Sequence, residues 1–126
     1  MWVTLRFGRM LLVVVLIAAV GCGAEGEHPL ARQGRDVVDD LFAERFDEVR
    51  EAMHPRLANA LTEEALAKAW ADAVRKNGNL REIGAAKVEE RGEFTLVRIP
   101  LVMAEADAMA ELTYDSDGTV VAMDLH

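Results

Sequence analysis

Few side chains in this sequence are equipped for chemistry. The one cysteine is Cys22, and the one serine, Ser116, stands in Asp115-Ser116-Asp117-Gly118. That composition belongs to a hairpin turn. No histidine lies near it in sequence and no Gly-x-Ser-x-Gly elbow surrounds it, so the residues speak against covalent catalysis. His28, His54 and His126 show no metal-ligand spacing. Asp115-x-Asp117-Gly118 opens like a calcium loop but lacks the remaining ligands and the closing Glu. No metal and no cofactor is expected. Acid–base work is the one catalytic option left, and Asp107 and Glu111 are its candidates, sharing a strand face with Met109.

A cavity is the other feature with chemical consequences. Ala106, Ala108 and Ala110 place three small side chains in a row. Either they let a helix carrying Trp70 lie close to the sheet, or they leave room for a small apolar ligand. Phe46, Trp70, Ile99, Leu112 and Tyr114 would line that space, and as plain core residues they need no further role. Tyr114 is the most telling of them, because a buried phenol wants a hydrogen-bond partner.

The elements that must position these residues read clearly over Glu93 to Leu125. Thr95, Val97, Ile99, Leu101 and Met103 alternate with Leu96, Arg98, Pro100 and Val102, and Ala106 to Tyr114 alternates likewise. A period of two marks half-buried strands. The Asp115–Gly118 turn then leads into a last strand from Thr119 to Leu125. Pro100 inside a strand points to an edge position or a bulge. Leu80 to about Arg91 forms a weaker strand, which completes a four-stranded antiparallel meander.

Helical spacing precedes the sheet. Val38, Leu41, Phe42, Phe46, Val49 and Met53 recur at three- and four-residue steps from about Ala31, with a break near Arg45 to Asp47 and a stop by His54, before Pro55. Thr62 caps a third helix with Glu63 and Glu64 in its first turn, Leu66, Ala69, Trp70, Ala73 and Val74 as its stripe, and Asn77-Gly78 as its stop. Three helices on one face of a curved four-stranded sheet make an α+β domain, with Phe42, Phe46 and Trp70 directed onto the sheet.

Residues 1–21 read as an export signal. Arg6 and Arg9 precede the apolar run Met10 to Val20, which is too short for a span of about 20 residues. Ala19-Val20-Gly21-Cys22 resembles the lipobox of bacterial lipoproteins, in which the cysteine becomes the first residue and carries lipid. An unpaired cysteine in an exported chain is thereby explained. The expected organisation is a lipoprotein signal peptide at 1–21, a tether at 22–30 and one domain at 31–126, held to the membrane through Cys22. The chain after residue 21 carries 12 basic against 22 acidic residues, a net charge of −10. Such a surface repels phosphate backbones, so nucleic acid is not an expected partner.

The order of Asp40-Leu41-Phe42, Phe46-Asp47-Glu48-Val49, Leu61 to Leu66, Trp70, Gly78, Val97 to Leu101 around Pro100, and Tyr114 to Gly118 resembles a small uncharacterised bacterial family of exported domains. It covers roughly residues 34–125. The family is similar to the cystatin-like cone of the nuclear transport factor 2-like superfamily and often stands before an α/β-hydrolase. The resemblance implies a bent sheet wrapped round helices, often enclosing a pocket, and transfers no catalytic residue. Residues and resemblance together lead us to expect a binding or protein-interaction module of the cell envelope, without catalysis. A pocket enzyme using a carboxylate, and a structural partner subunit docking through a sheet edge or through Leu96, Val102 and Met109, stay open.

Overall fold

The computed structural model describes residues 27–126, so Cys22, the leader and most of the expected tether lie outside the described residues. Helix α1 spans Pro29–Phe42, α2 Phe46–Glu51, α3 Pro55–Ala60 and α4 Glu63–Asn77. Five strands follow: β1 Leu80–Ile83, β2 Lys87–Arg91, β3 Phe94–Met103, β4 Ala108–Tyr114 and β5 Val120–Leu125. The class is α+β, as expected, with one helix and one strand more than the sequence reading counted.

The extra helix is α3. The helix before Pro55 does stop by His54, as expected, and Pro55 is also the first-turn residue of a new one, where its missing N–H costs nothing. His54 caps it, its Nδ1 accepting from the Arg56 N–H at 3.1 Å. Arg50 holds the other end, its Nε donating to the Leu61 carbonyl and its Nη2 to that of Ala58, both at 2.9 Å. A second His-Pro pair starts α1, where His28 Nδ1 accepts from the Leu30 N–H at 3.0 Å. The first helix therefore begins at Pro29, inside the expected tether.

The extra strand comes from a break. β1 and β2 both pair with β3, β1 against its C-terminal half and β2 against its N-terminal half. β4 occupies the other side of β3, and β5 follows β4. Pro100 thus sits in the central strand, which corrects the edge position. Gly84 N–H donates to the Pro100 carbonyl at 2.8 Å. A residue's N and carbonyl point to the same side of a strand, so the donor that Pro100 lacks faces the gap between β1 and β2.

The helices cover one face of the sheet. Val97, Ile99, Leu101 and Met103 of β3 and Ala110, Leu112 and Tyr114 of β4 meet Val37, Val38 and Leu41 of α1, Val49 of α2, and Leu66 and Trp70 of α4. Cross-strand pairs Val97↔Leu112 and Ile99↔Ala110 keep the two apolar rows in register. Thr62 Oγ1 accepts from the Ala65 N–H at 3.1 Å and caps α4. Gly78 ends it at φ 88°, and a Cβ there would stand 2.8 Å from that of Ala104. Phe42 departs from expectation. It is 49% exposed and meets Trp70 edge-on, with ring centroids 6.4 Å apart, instead of reaching the sheet.

Candidate functional site

The five residues expected to line a cavity do not surround one space. Ile99 and Leu112 are sealed in the core at 0% and 1% exposure. The helix above them lies at backbone distance: a Cβ on Gly34 would be 3.1 Å from Ile99 Cδ1 and Val97 Cγ1. Trp70 and Phe46 meet instead in an open depression with Phe42, between α4 and the turn after α1. The alanine row is split, because Ala106 lies with Asp107 in the turn ahead of β4 and Ala110 is buried in the core, while Ala106 and Ala108 line one open groove with Ala69 and Ala73 of α4. Asp107 Oδ1 accepts from the Met103 N–H at 3.3 Å and closes that turn.

Tyr114 stands apart. It is 1% exposed, and its hydroxyl has no hydrogen-bond partner among the described residues. Tyr114 is among the residues lining a solvent-open depression of about 310 Å³ between α1 and the β4–β5 hairpin, while its hydroxyl is itself closed to solvent. Gln33, Asp36 and Asp40 reach it from α1, Glu51 from the end of α2, and Thr119 from the hairpin. The spacing of 33, 36, 37 and 40 follows one stripe of α1, beside its buried stripe. Asp40 is held by Arg45, whose Nη2 donates to Oδ1 at 2.8 Å. Asp36 and Glu51 have no ion-pair partner among the described residues. The hairpin is rigid, since Asp115 Oδ1 accepts from the N–H groups of Asp117 and Thr119 at 3.0 and 2.9 Å. Those bonds explain the Asp-x-Asp-Gly spacing as a turn and hold the Asp115 carboxyl below its usual range.

Burial, with a smaller contribution from the Asp36 charge, pushes the Tyr114 hydroxyl up to about 12. The folded chain therefore favours the neutral phenol. That contribution to stability is complete below the ordinary value of 10.0 and is lost as pH rises through about 12. Tyr114 is the one tyrosine in the chain, so phenolate absorbance reads it alone. We expect ionisation near pH 12, coupled to unfolding. An uncoupled titration near 10 would show the hydroxyl to be solvated. Tyr114→Phe removes an unsatisfied buried group and should leave stability unchanged or raise it by up to about 1 kcal/mol in urea denaturation.

Two further places carry functional side chains. On the outer sheet face, Glu111, Asp124 and His126 bring ligand atoms within 4.8 Å of one another. The sequence reading missed this trio; its signal is Asp124 on β5 and His126 two residues on, just past the strand's end, with Glu111 opposite Asp124. Glu111 Oε2 already accepts from Arg98 Nε at 3.1 Å, and Arg98, with His126 next, draws its carboxyl below the usual range. A cation there would have to displace Arg98. The second place is an apolar depression of about 490 Å³ between α3 and the sheet, where Leu57 and Val121 flank Phe94, itself 45% exposed.

Fold and site define a small α+β domain, helices on one face of a single antiparallel sheet, with open depressions on its surface. The model of a family described as a protein of unknown function, DUF3887, matches residues 35–123, and the chain belongs to that family. No curated protein and no solved structure matches it. Among the described residues, no helix is long and apolar enough to cross a membrane.

Proposed function

We propose that this chain is a lipid-anchored, extracytoplasmic binding module that does no catalysis, built on a cystatin-like cone of the nuclear transport factor 2-like type. The observation that carries the reading is the Tyr114 hydroxyl, buried and unpartnered beside a depression that opens to solvent. An enclosed polar group without a partner is costly, and a bound molecule can satisfy it. The anchor rests on Arg6, Arg9, the apolar run and Cys22. The carboxylate-enzyme alternative is weaker. A general base works best with a raised value near neutrality, whereas Glu111 is drawn down and Asp107 is spent on its turn. The partner-subunit alternative gains from Phe94, because an exposed ring in an apolar depression suits an envelope protein.

Fractionation of cells making the full chain tests the tether. Cys22→Ser should move the protein from the membrane to the soluble fraction, since a diacyl anchor supplies the two chains that stable attachment takes. Retention on the membrane would sink the lipid-anchor reading. For the module itself, native mass spectrometry should show a small molecule bound to the wild type and missing from Tyr114→Phe.

A further inference from the structure

We infer that the outward face of the sheet docks a second copy of this chain, related to the first by a twofold axis parallel to the strands. This goes beyond the Tyr114 reading and does not depend on it. The helices pack on one face; the other carries Leu96, Pro100 and Met109, half-buried, and Val102, 38% exposed. Across it runs one row of charges. Lys87 of β2 pairs with Arg98 of β3, Arg98 with Glu111 of β4, and Glu111 with Asp124 of β5. Each is flanked along the chain by residues of the core or packed against it, so all four side chains leave the sheet on its outward side.

The row reads plus, plus, minus, minus, and that order selects both the occupant and the symmetry. A twofold axis between two facing sheets and parallel to their strands reverses the row in the partner. Lys87 then lies over the partner's Asp124, and Arg98 over the partner's Glu111. An axis across the strands would set like charges on like. Facing sheets keep their strands within about 30° of each other, so the match holds along the row. Arg98 Nε donates to Glu111 within the chain at 3.1 Å, and its remaining donors are free to take a second carboxylate. Glu89 and His126 flank the row and are held by it, Glu89 by Arg98 at 3.4 Å and His126 by Glu111 at 3.3 Å. A lipid surface or a purely apolar segment would strip water from the four charges and pair none of them. Since β1 and β2 share one side of β3, the sheet is four strands wide, about 19 Å, and the 10 residues of β3 span about 33 Å. That offers up to roughly 600 Å² a copy, and a dimer burying about 1,200 Å² stands at the low end of stable interfaces.

Native mass spectrometry of the full chain, in enough detergent for micelles to outnumber chains, should show a dimer with Kd on the order of 10 µM. Added salt should weaken it. Lys87→Glu with Arg98→Glu makes the row wholly acidic, and Glu111→Lys with Asp124→Lys makes it wholly basic. Each double variant alone should dimerise at least about tenfold more weakly, because like charges face each other. The two mixed should form the mixed pair about as well as the wild type pairs with itself. All four substitutions in one chain reverse the row, restore the pairing within the chain and should bring self-association back. Circular dichroism confirms that each variant is folded. A wild type still monomeric at about 100 µM overturns the inference whatever the variants do. A dimer that survives in both double variants lies on another surface and overturns it too, as does a mixture no more dimeric than its parts. A monomer that leaves the cell with one other protein, lost in both double variants, overturns the second copy in favour of a foreign subunit.

Discussion

Trp70→Ala should lower the unfolding free energy by about 3–5 kcal/mol, the range for deleting a large aromatic from a core. Helix α4 is 15 residues long, yet Leu66 and Trp70 are its only buried side chains. Trp70 is 6% exposed and also supports Phe42 edge-on at an interplanar angle of 76°. Its removal leaves Leu66, with half-buried Ala73 and Val74, to hold the whole helix. A domain of this size is stable by about 5–15 kcal/mol, so the loss would take a large share of the total. Urea denaturation followed by circular dichroism checks it, with the m-value compared to confirm that the unfolded state is unchanged. Phe42→Ala, at an exposed ring, should cost about 1 kcal/mol, the size of an aromatic pair contribution. A loss below about 1 kcal/mol at Trp70 would show that α4 is held by something other than its indole.

What could be read from the sequence follows from which interactions are local. The strands of Val97 to Met103 and Ala108 to Tyr114 were legible because period-two alternation reports burial directly, and the faces match. The start of α4 at Thr62 and its end at Gly78 were legible for the same reason, since caps act within one turn. Pro55 was half read: the helix before it does stop, but a proline also starts a helix, and the His54 imidazole on the Arg56 N–H that marks this start shows only in the fold. The division of β1 from β2 was hidden because its cause lies across the sheet, at Pro100. Phe42 fits the helical stripe yet sits in the last position of α1 and stays half exposed. The candidate site was half legible. Tyr114 stood out as a phenol in an apolar row, whereas Asp36 and Glu51 come to it from two helices and look like ordinary solvated acids until the chain is folded.

The position that joins packing to the site is Gly34. On helix propensity alone, a larger residue there should help, since glycine in a helix costs up to about 1 kcal/mol relative to alanine. Packing opposes this. A Cβ would stand 3.1 Å from both Ile99 Cδ1 and Val97 Cγ1, and both of those residues are 0% exposed in the central strand. Gly34→Ala therefore sets two small effects against each other and should change stability by less than about 1 kcal/mol. Gly34→Leu has no such balance. Its extra carbons have no free volume, so α1 must rise from β3, at about 3 kcal/mol. The same helix carries Gln33, Asp36 and Asp40 over Tyr114. Lifting it admits water to the phenol, so the tyrosine titration should fall back from about 12 toward its ordinary 10.0. Stability and titration should move together in Gly34→Leu and stay together, unmoved, in Gly34→Ala. A Gly34→Leu protein with wild-type stability would mean that α1 does not rest on β3 at this point, and one that is destabilised with its tyrosine still at about 12 would mean that α1 is not what seals the phenol.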